Sequence, residues 1–189
     1  METRTYNVYT FEELSPEGQQ NAIERYYDIN VDYGWWQYTY DDAADIGLKI
    51  TEFDLDRADY CKGRFTLYPL EICKAIFSNH GKEDDTYLAA KNYLHDRELL
   101  SKQEVTRLCQ VEADQLCECF NYVHGVLDVE QDYFDEDVFE DINNEFHREL
   151  LECYKRMLHR EYEYITSEEA IIEAFEVNEY LFTEDGHID

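Results

Sequence analysis

The sequence predicts a helix-rich α+β fold with a small antiparallel sheet and a long C-terminal helical hairpin. Only seven Gly and two Pro occur in 189 residues, and so few breaking positions favour long helices over a many-stranded architecture. Hydrophobic residues make up 44% of the chain and aromatic residues 15%, which is enough to form a core. The length fits one domain over 1–189, with an N-terminal α+β part over about 1–98 and an acidic helical part over about 99–176.

The N-terminal elements follow from residue type and capping. Residues 6–11 are rich in aromatic and β-branched types with partial alternation, which predicts a short strand. Ser15 supplies an N-cap oxygen and Pro16 suits the first position of a helix that we expect to reach about Ile29. A second helix follows and ends at Gly47. The inner face of the first helix is predicted to hold Ala22, Ile23, Tyr26 and Tyr27, and the second helix to hold Trp35, Trp36 and Tyr40.

Residues 48–55 and 60–67 predict a pair of antiparallel strands. Leu48 and Ile50 have one parity along the first strand, whereas Phe53 and Leu55 have the other. Because side chains alternate between the two faces of a strand, a β-bulge near Thr51 is needed to bring both pairs to the same side.

The remaining elements are mainly helical. Pro69 predicts a helix over 70–79 that ends at a Gly81 C-cap, and a shorter helix follows through Tyr87, Leu88 and Tyr93. Apolar spacing predicts one amphipathic helix from Ser101 to about Val126 and an antiparallel partner from Asp135 to about Tyr164. Thr166 and Glu169 match a capping box for a last helix over 167–175, and residues 178–182 predict a strand that returns to the early sheet.

An acidic segment opens the second helix of this hairpin. Eight of the sixteen residues from Glu130 to Glu145 are acids and none is basic, yet the same stretch contains Tyr133, Phe134 and Phe139. Like-charged blocks that lack aromatic residues usually stay disordered. This segment has enough apolar surface to fold, so we expect it to hold its charges in a fixed geometry.

The net charge of −29 is strongly polarised along the chain. Residues 108–189 carry twenty-four acids and four Lys or Arg, whereas residues 49–107 carry eleven acids and ten cations. So large a surplus exceeds what solubility requires and repels nucleic acid and anionic membranes. The charge therefore favours a basic protein as the partner.

Motifs for catalysis and for metal binding are weak. The sequence contains no HExxH, no GxSxG and no phosphate-binding glycine loop, so we do not expect an enzyme or a cofactor. Glu52, Asp54 and Asp56 share one strand face and leave a divalent-metal site as an alternative to a solvated face. Cys117 and Cys119 diverge on a helix, which favours two packed cysteines over a thiolate site.

The six cysteines are scattered, the first residues form no secretory segment, and no apolar run approaches the roughly 18 residues of a membrane-spanning helix. We therefore expect a cytoplasmic protein with reduced cysteines. The sequence does not indicate an oligomeric state.

Three stretches carry a resemblance to a known family. They are TYNVYTFEELSPEGQQNAIERYYDINVDYGWW near the start, FDLDRADYCKGRF in the middle and REYEYITSEEAIIEAFEVNEYLFTEDGH at the end. The chain resembles a family of small phage and prophage proteins that are sometimes labelled antitoxins of toxin–antitoxin systems. The resemblance implies a phage setting and a bacterial host cytoplasm, and it brings no catalytic residue. The acidic segment is not part of it.

Charge and resemblance together predict a phage-encoded acidic interaction protein that inhibits a bacterial nucleic-acid-binding defence protein. The target would be a CRISPR effector or a restriction enzyme, bound through DNA mimicry. An antitoxin that binds a basic toxin, a metal-dependent enzyme, and charge that serves solubility alone are the alternatives. The residues predicted to contact the partner are Asp128, Glu130, Asp132, Tyr133, Phe134, Asp135, Glu136, Asp137, Glu140 and Asp141.

Overall fold

The computed structural model describes residues 7–32, 34–100 and 136–189, and it has the predicted helix-rich α+β class. In chain order, the described elements are a 3-10 helix (Phe11–Glu13), α1 (Pro16–Arg25), α2 (Gln37–Asp45), β1 (Leu48–Asp54), β2 (Tyr60–Phe65), α3 (Pro69–Asn79), α4 (Asp85–Leu100), α5 (Glu136–Ile165) and α6 (Glu168–Val177).

Residue contacts divide the chain into two compact units. The first unit is formed by residues 1–36 and 158–189, and the second by residues 37–157. The first unit therefore brings together the two ends of the sequence. In the part of the chain that the structure describes, no helix combines the length and apolar character needed to cross a membrane.

The first unit has an aromatic core. The Phe175 ring of α6 lies 5.4 Å from the Phe11 ring and 5.0 Å from the Phe182 ring, measured between centroids. Ala22 of α1 and Ile171 of α6 are buried in the same cluster. Burying a Phe side chain contributes about 1.5–3 kcal/mol, so these three rings dominate the packing of this unit.

The strands predicted at 6–11 and 178–182 are reduced to isolated bridges. Tyr9 and Phe182 exchange two backbone hydrogen bonds of 2.8 Å, and the described sheet contains only β1 and β2. The four-stranded sheet was therefore a wrong prediction. The N-terminal strand does not continue past Thr10, because the Thr10 backbone N–H donates to the Glu13 carboxylate at 2.9 Å. This capping box starts a 3-10 helix at Phe11, where the strand was expected to continue.

The caps of α1 and α6 come from serines. The Ser15 hydroxyl accepts from Gly18 N at 3.1 Å, as predicted, and the Ser167 hydroxyl accepts from Ala170 N at 3.2 Å. The capping box predicted at Thr166 is wrong by one residue, because the Thr166 hydroxyl donates back to the Tyr162 carbonyl at 2.7 Å.

Helix α1 is shorter than predicted. It ends at Arg25, and the next residues form β-turns, in one of which Ile29 N donates to the Tyr26 carbonyl. Tyr27, predicted to face inward, is 53% exposed. The loss of helical phase after Arg25 explains why the inner face does not continue to Tyr27.

The second unit contains the β1–β2 pair, and its prediction is confirmed together with the bulge. Leu48 pairs with Phe65 and Ile50 with Gly63, after which the register shifts so that Glu52 pairs with Lys62. Thr51 is the extra residue. The shift keeps Leu48 and Ile50 buried on one face.

Helix α3 has the predicted span, but its C-cap differs. Ile72, Cys73 and Ile76 are fully buried, as expected for its inner face. Gly81 does not supply a left-handed cap. His80 ends the helix in an extended conformation, and Gly81 N donates to the Asp84 carboxylate in the following turn.

Helices α4 and α5 share a core in the second unit. The rings of Tyr93 and Phe146 are stacked with centroids 4.4 Å apart, and the Phe65 ring lies 5.7 Å from Phe146. Helix α4 is sixteen residues long, so the prediction of a short helix was wrong. The first helix of the predicted hairpin, over 101–126, lies outside the described residues, and α5 matches the second helix closely.

Candidate functional site

Helix α5 carries the described end of the predicted acidic interface. Eight of the ten predicted contact residues have no described side chains. Six of them lie between Asp128 and Asp135, and the other two, Glu136 and Asp137, are in the first turn of α5. Glu140 and Asp141 are the two whose side chains are described, and both are exposed. The predicted interface is therefore not tested by the structure and stays a prediction.

The acidic and apolar residues of α5 lie on different sides of the helix. At 100° per residue, Asp141 projects about 140° from Phe146 and about 180° from Leu150. Phe146 and Leu150 are buried at 1% and 0% exposure. Because packing fixes that side of the helix, Asp141 is directed toward solvent in a defined orientation.

The later turns of α5 hold cations that neutralise nearby acids. Arg148 pairs with Glu145, and Arg156 Nη2 lies 3.1 Å from the Asp85 carboxylate. Lys155 Nζ lies 2.9 Å from Glu152 and 3.3 Å from Asp59, and these contacts raise the pKa of Lys155, chiefly through Glu152. The field of α5 is therefore concentrated before Glu145.

The first unit has a second acidic surface, which the sequence analysis did not single out. Its described residues contain sixteen acids, six within 7–36 and ten within 158–189, and every one is exposed. Arg25 and Arg160 are the only Lys or Arg among those same residues. The signal was present in the sequence as the charge imbalance of the C-terminal half, but it was assigned to the segment before Glu145 alone.

Acids of this surface lie on α1, on α6 and on a hydrogen-bonded loop after Phe182. The loop after Phe182 is closed by hydrogen bonds from Gly186 N to the Thr183 carbonyl, at 2.9 Å, and from the Thr183 hydroxyl to the Asp185 carboxylate, at 2.6 Å. The Thr183 bond lowers the pKa of Asp185. Gly18 allows the loop to approach α1, because a Cβ there would lie 2.8 Å from the Glu184 carbonyl oxygen.

A polar cleft of about 570 Å³ lies between the start of α1 and this loop. Its lining includes the acidic residues Glu17, Glu184 and Asp185. Polar walls of this kind suit a cationic group better than an apolar ligand.

The carboxylates proposed as a metal alternative have protein partners. Glu52 accepts hydrogen bonds from the Tyr60 hydroxyl and, at 3.1 Å, from Lys62 Nζ. The Tyr60 bond is the main cause of the lowered pKa of Glu52, and the same bond raises the pKa of Tyr60 to about 12. Asp54 accepts from the backbone N–H of Asp56 at 2.8 Å.

Among residues 7–32, 34–100 and 136–189, no group of three or more His, Cys, Asp or Glu side chains is arranged to hold a metal ion. Cys117 and Cys119 lie outside these residues. The three described cysteines are free and buried, and burial raises the pKa of Cys61 and of Cys153 to about 11. These thiols are therefore poor nucleophiles.

A partly buried polar chain in the second unit was also missed by the sequence analysis. The Tyr154 hydroxyl donates to Asp42 at 2.8 Å, His80 Nε2 lies 3.5 Å from the other oxygen of Asp42, and His80 Nδ1 lies 2.6 Å from the Thr86 hydroxyl. The His80 contact is the largest cause of the lowered pKa of Asp42. Thr86 is fully buried and closed to substrate, so the chain links four helical segments and does not form a catalytic triad.

Several aromatic side chains are exposed in the described residues. Tyr38 is 88% exposed, Tyr68 77% and Tyr164 64%. Exposed tyrosines are common at protein interfaces, and Tyr164 lies in the acidic first unit. Tyr133 and Phe134, the pair expected to anchor a partner, are outside the described residues.

The fold and surface thus define a helix-rich α+β protein with a strongly acidic exterior. Comparison with protein-family models, with curated proteins and with solved structures found no match to this chain.

Proposed function

We propose that the protein is a phage-encoded acidic inhibitor that binds the nucleic-acid-binding surface of a bacterial defence protein, such as a CRISPR effector or a restriction enzyme. In this proposal its carboxylates occupy positions that DNA phosphates would otherwise take. The phage setting comes from the sequence resemblance, and the chemistry of the partner comes from the charge.

The observation that carries the proposal is the acidic surface of the first unit. The described residues of that unit include sixteen exposed acids and only two Lys or Arg. Charge on folded elements has a fixed arrangement, and it therefore favours a partner with a matching basic surface over a diffuse ion cloud.

The charge density of α5 supports the same partner. Four acids, Glu136, Asp137, Glu140 and Asp141, precede Glu145, which pairs with Arg148, within the first ten residues of the helix. Ten residues rise about 15 Å, which gives one of these acids per roughly 4 Å of helix axis. One strand of DNA carries a phosphate charge per about 3.4 Å, so the two linear densities are similar.

The test measures nuclease inhibition with two charge-matched variants. The first neutralises Asp135, Glu136, Asp137, Glu140 and Asp141 to Asn or Gln. The second neutralises five exposed acids of the first unit whose side chains have no hydrogen bond or ion pair among the described residues: Asp32, Glu161, Glu163, Glu173 and Glu176. Each variant changes the net charge by the same amount.

Wild-type protein should restore plaque formation of a restricted phage, and it should inhibit DNA cleavage in vitro most strongly at low salt. The second variant should lose more inhibition than the first if the surface of the first unit is the main contact. Inhibition by both variants at wild-type level would mean that the charge serves solubility alone. A low-salt pull-down from host lysate that recovers no basic protein would also count against the proposal.

The antitoxin alternative predicts a different result in the same strains. A neighbouring toxin gene would stop growth when expressed alone, and co-expression of this protein would rescue growth. Nuclease inhibition without such a rescue would separate the two functions.

A further inference from the structure

The exposed face of the β1–β2 pair carries two cations directly opposite each other. Lys49 on β1 pairs with Arg64 on β2, and both are exposed. The bulge at Thr51 shifts the register, so that the next outward pair joins Glu52 to Lys62 and is neutral. The strand register thus places an acid opposite a lysine in one pair on this face and two cations opposite each other in the other pair.

Like charges directly opposite on neighbouring strands destabilise a sheet. The chain has forty-five Asp and Glu against sixteen Lys and Arg, so most cations could have a carboxylate neighbour. Within the described part of the chain, no acid lies within ion-pair distance of Lys49 or Arg64. By contrast, Arg148, Lys155 and Arg156 all have carboxylate partners.

Packing holds the two positions in place. Leu48 and Ile50, which flank Lys49, are buried at 0% and 5% exposure. Gly63, which precedes Arg64, lies so close to α5 that a Cβ there would approach the Leu151 side chain to 3.0 Å. The backbone below the pair is therefore fixed, while the ammonium and guanidinium groups are free to converge on one ligand.

An ammonium and a guanidinium together suit an oxyanion with two terminal oxygens, since the guanidinium donates two parallel N–H bonds and the ammonium supplies a third donor. Carboxylates and phosphates both have this form. A net charge of −29 repels a polyphosphate chain, whereas an isolated carboxylate within a basic protein surface is compatible with the field.

We propose that Lys49 and Arg64 form an oxyanion-binding pair that receives a carboxylate of the partner protein, an inference that rests on the proposed function. Nucleases hold catalytic metal ions with carboxylates inside a surface that is otherwise basic. A protein that covers such a surface with acids needs cations at the points where those carboxylates lie, because two facing carboxylates would repel each other.

The experiment titrates succinate and, separately, inorganic phosphate into isotopically labelled protein at constant ionic strength and follows backbone amide shifts. We compare wild type, the Lys49→Gln/Arg64→Gln variant, and a control with Lys74→Gln/Lys91→Gln, which removes two exposed lysines from α3 and α4. Succinate should cause saturable shifts near Lys49 and Arg64 in wild type and in the control. The test variant should bind succinate about fivefold more weakly or not measurably.

Shifts that do not saturate, or that persist in the test variant, would overturn the site. Shifts with phosphate and none with succinate would overturn the carboxylate assignment. If succinate binds as expected but wild-type protein does not inhibit the nucleases, the proposed function fails while the oxyanion pair stands. If inhibition occurs without succinate binding, the oxyanion pair fails while the proposed function stands.

Discussion

Helix α6 ends at Val177, and Glu179, two residues beyond it, has a left-handed backbone conformation with φ of 54°. Tyr180 N donates to the Phe175 carbonyl at 3.0 Å, and the two rings lie 6.4 Å apart. This is the Schellman pattern, in which the left-handed residue is usually glycine. A Cβ in that conformation costs about 1–2 kcal/mol. A carboxylate beside the negative helix end adds an unfavourable interaction of about 0.3–1 kcal/mol.

We expect Glu179→Gly to stabilise the protein and Glu179→Gln to serve as its control. The Gln variant removes only the charge, so the difference between the two isolates the backbone. Relief of the strain is offset by about 0.5–1 kcal/mol of extra chain entropy that Gly loses on folding, which leaves a gain of about 0.5–1 kcal/mol. The melting temperature of the Gly variant should exceed that of the Gln variant by about 1–4 °C.

Differential scanning calorimetry at fixed pH and salt measures both variants against wild type. The reasoning is refuted if the Gly variant is no more stable than the Gln variant, because the left-handed Glu179 would then carry no strain. A Gln variant less stable than wild type would refute the helix-end part separately.

Three further predictions concern buried groups. Tyr154→Phe removes a hydrogen bond to Asp42 and should lower the free energy of unfolding by about 1–2 kcal/mol in urea denaturation, and an unchanged midpoint would show that the bond contributes nothing. Burial lowers the pKa of His147 below 6.5, so the unfolded chain binds the proton more readily and stability falls as pH drops below 6.5. His147→Phe should therefore lose less stability than wild type between pH 8 and pH 6. Equal losses in the two proteins would contradict this. Gly186 has φ of 80° and a Cβ there would meet the Gly18 carbonyl, so Gly186→Ala should destabilise by about 1–3 kcal/mol, and a melting temperature equal to wild type would exclude the strain.

Local patterns in the sequence predicted the elements whose signals depend on near neighbours. The parity change between Ile50 and Phe53 predicted the bulge, and the register shift is found there. The apolar spacing of Phe146, Leu150 and Leu158 predicted the helix that became α5, and all three are buried. Such signals succeed because strand alternation and helical periodicity relate residues a few positions apart.

Competition between local signals accounts for the failures. Residues 6–11 have strand-forming side chains, but the Glu13 carboxylate holds Thr10 N and turns the chain into a 3-10 helix. At the start of α6, Thr166 and Ser167 are both good N-cap residues. The Thr166 hydroxyl donates to the Tyr162 carbonyl, and the Ser167 hydroxyl caps the helix. A sequence pattern ranks such residues equally, because it contains neither the backbone direction nor the competing acceptor.

The candidate site shows the same limit at longer range. The bond between Asp42 and Tyr154 joins residues 112 positions apart, and no spacing rule connects them. The excess of acids could be counted from the sequence, but whether each one faced solvent or a cation depended on packing. The cation pair at Lys49 and Arg64 likewise followed from strand register and became visible only with the bulge in place.

The placement of acids explains how a chain of net charge −29 folds and why its charge can be removed experimentally. In the described residues of the first unit every acid is exposed, where water and salt reduce the repulsion between carboxylates. The core of that unit is built instead around the rings of Phe11, Phe175 and Phe182. In the second unit the half-buried Asp42 is matched by Tyr154 and His80. Because the core does not depend on the surface acids, neutralising them should leave folding intact or strengthen it. A loss of the proposed inhibition in such a variant would then report on the interface.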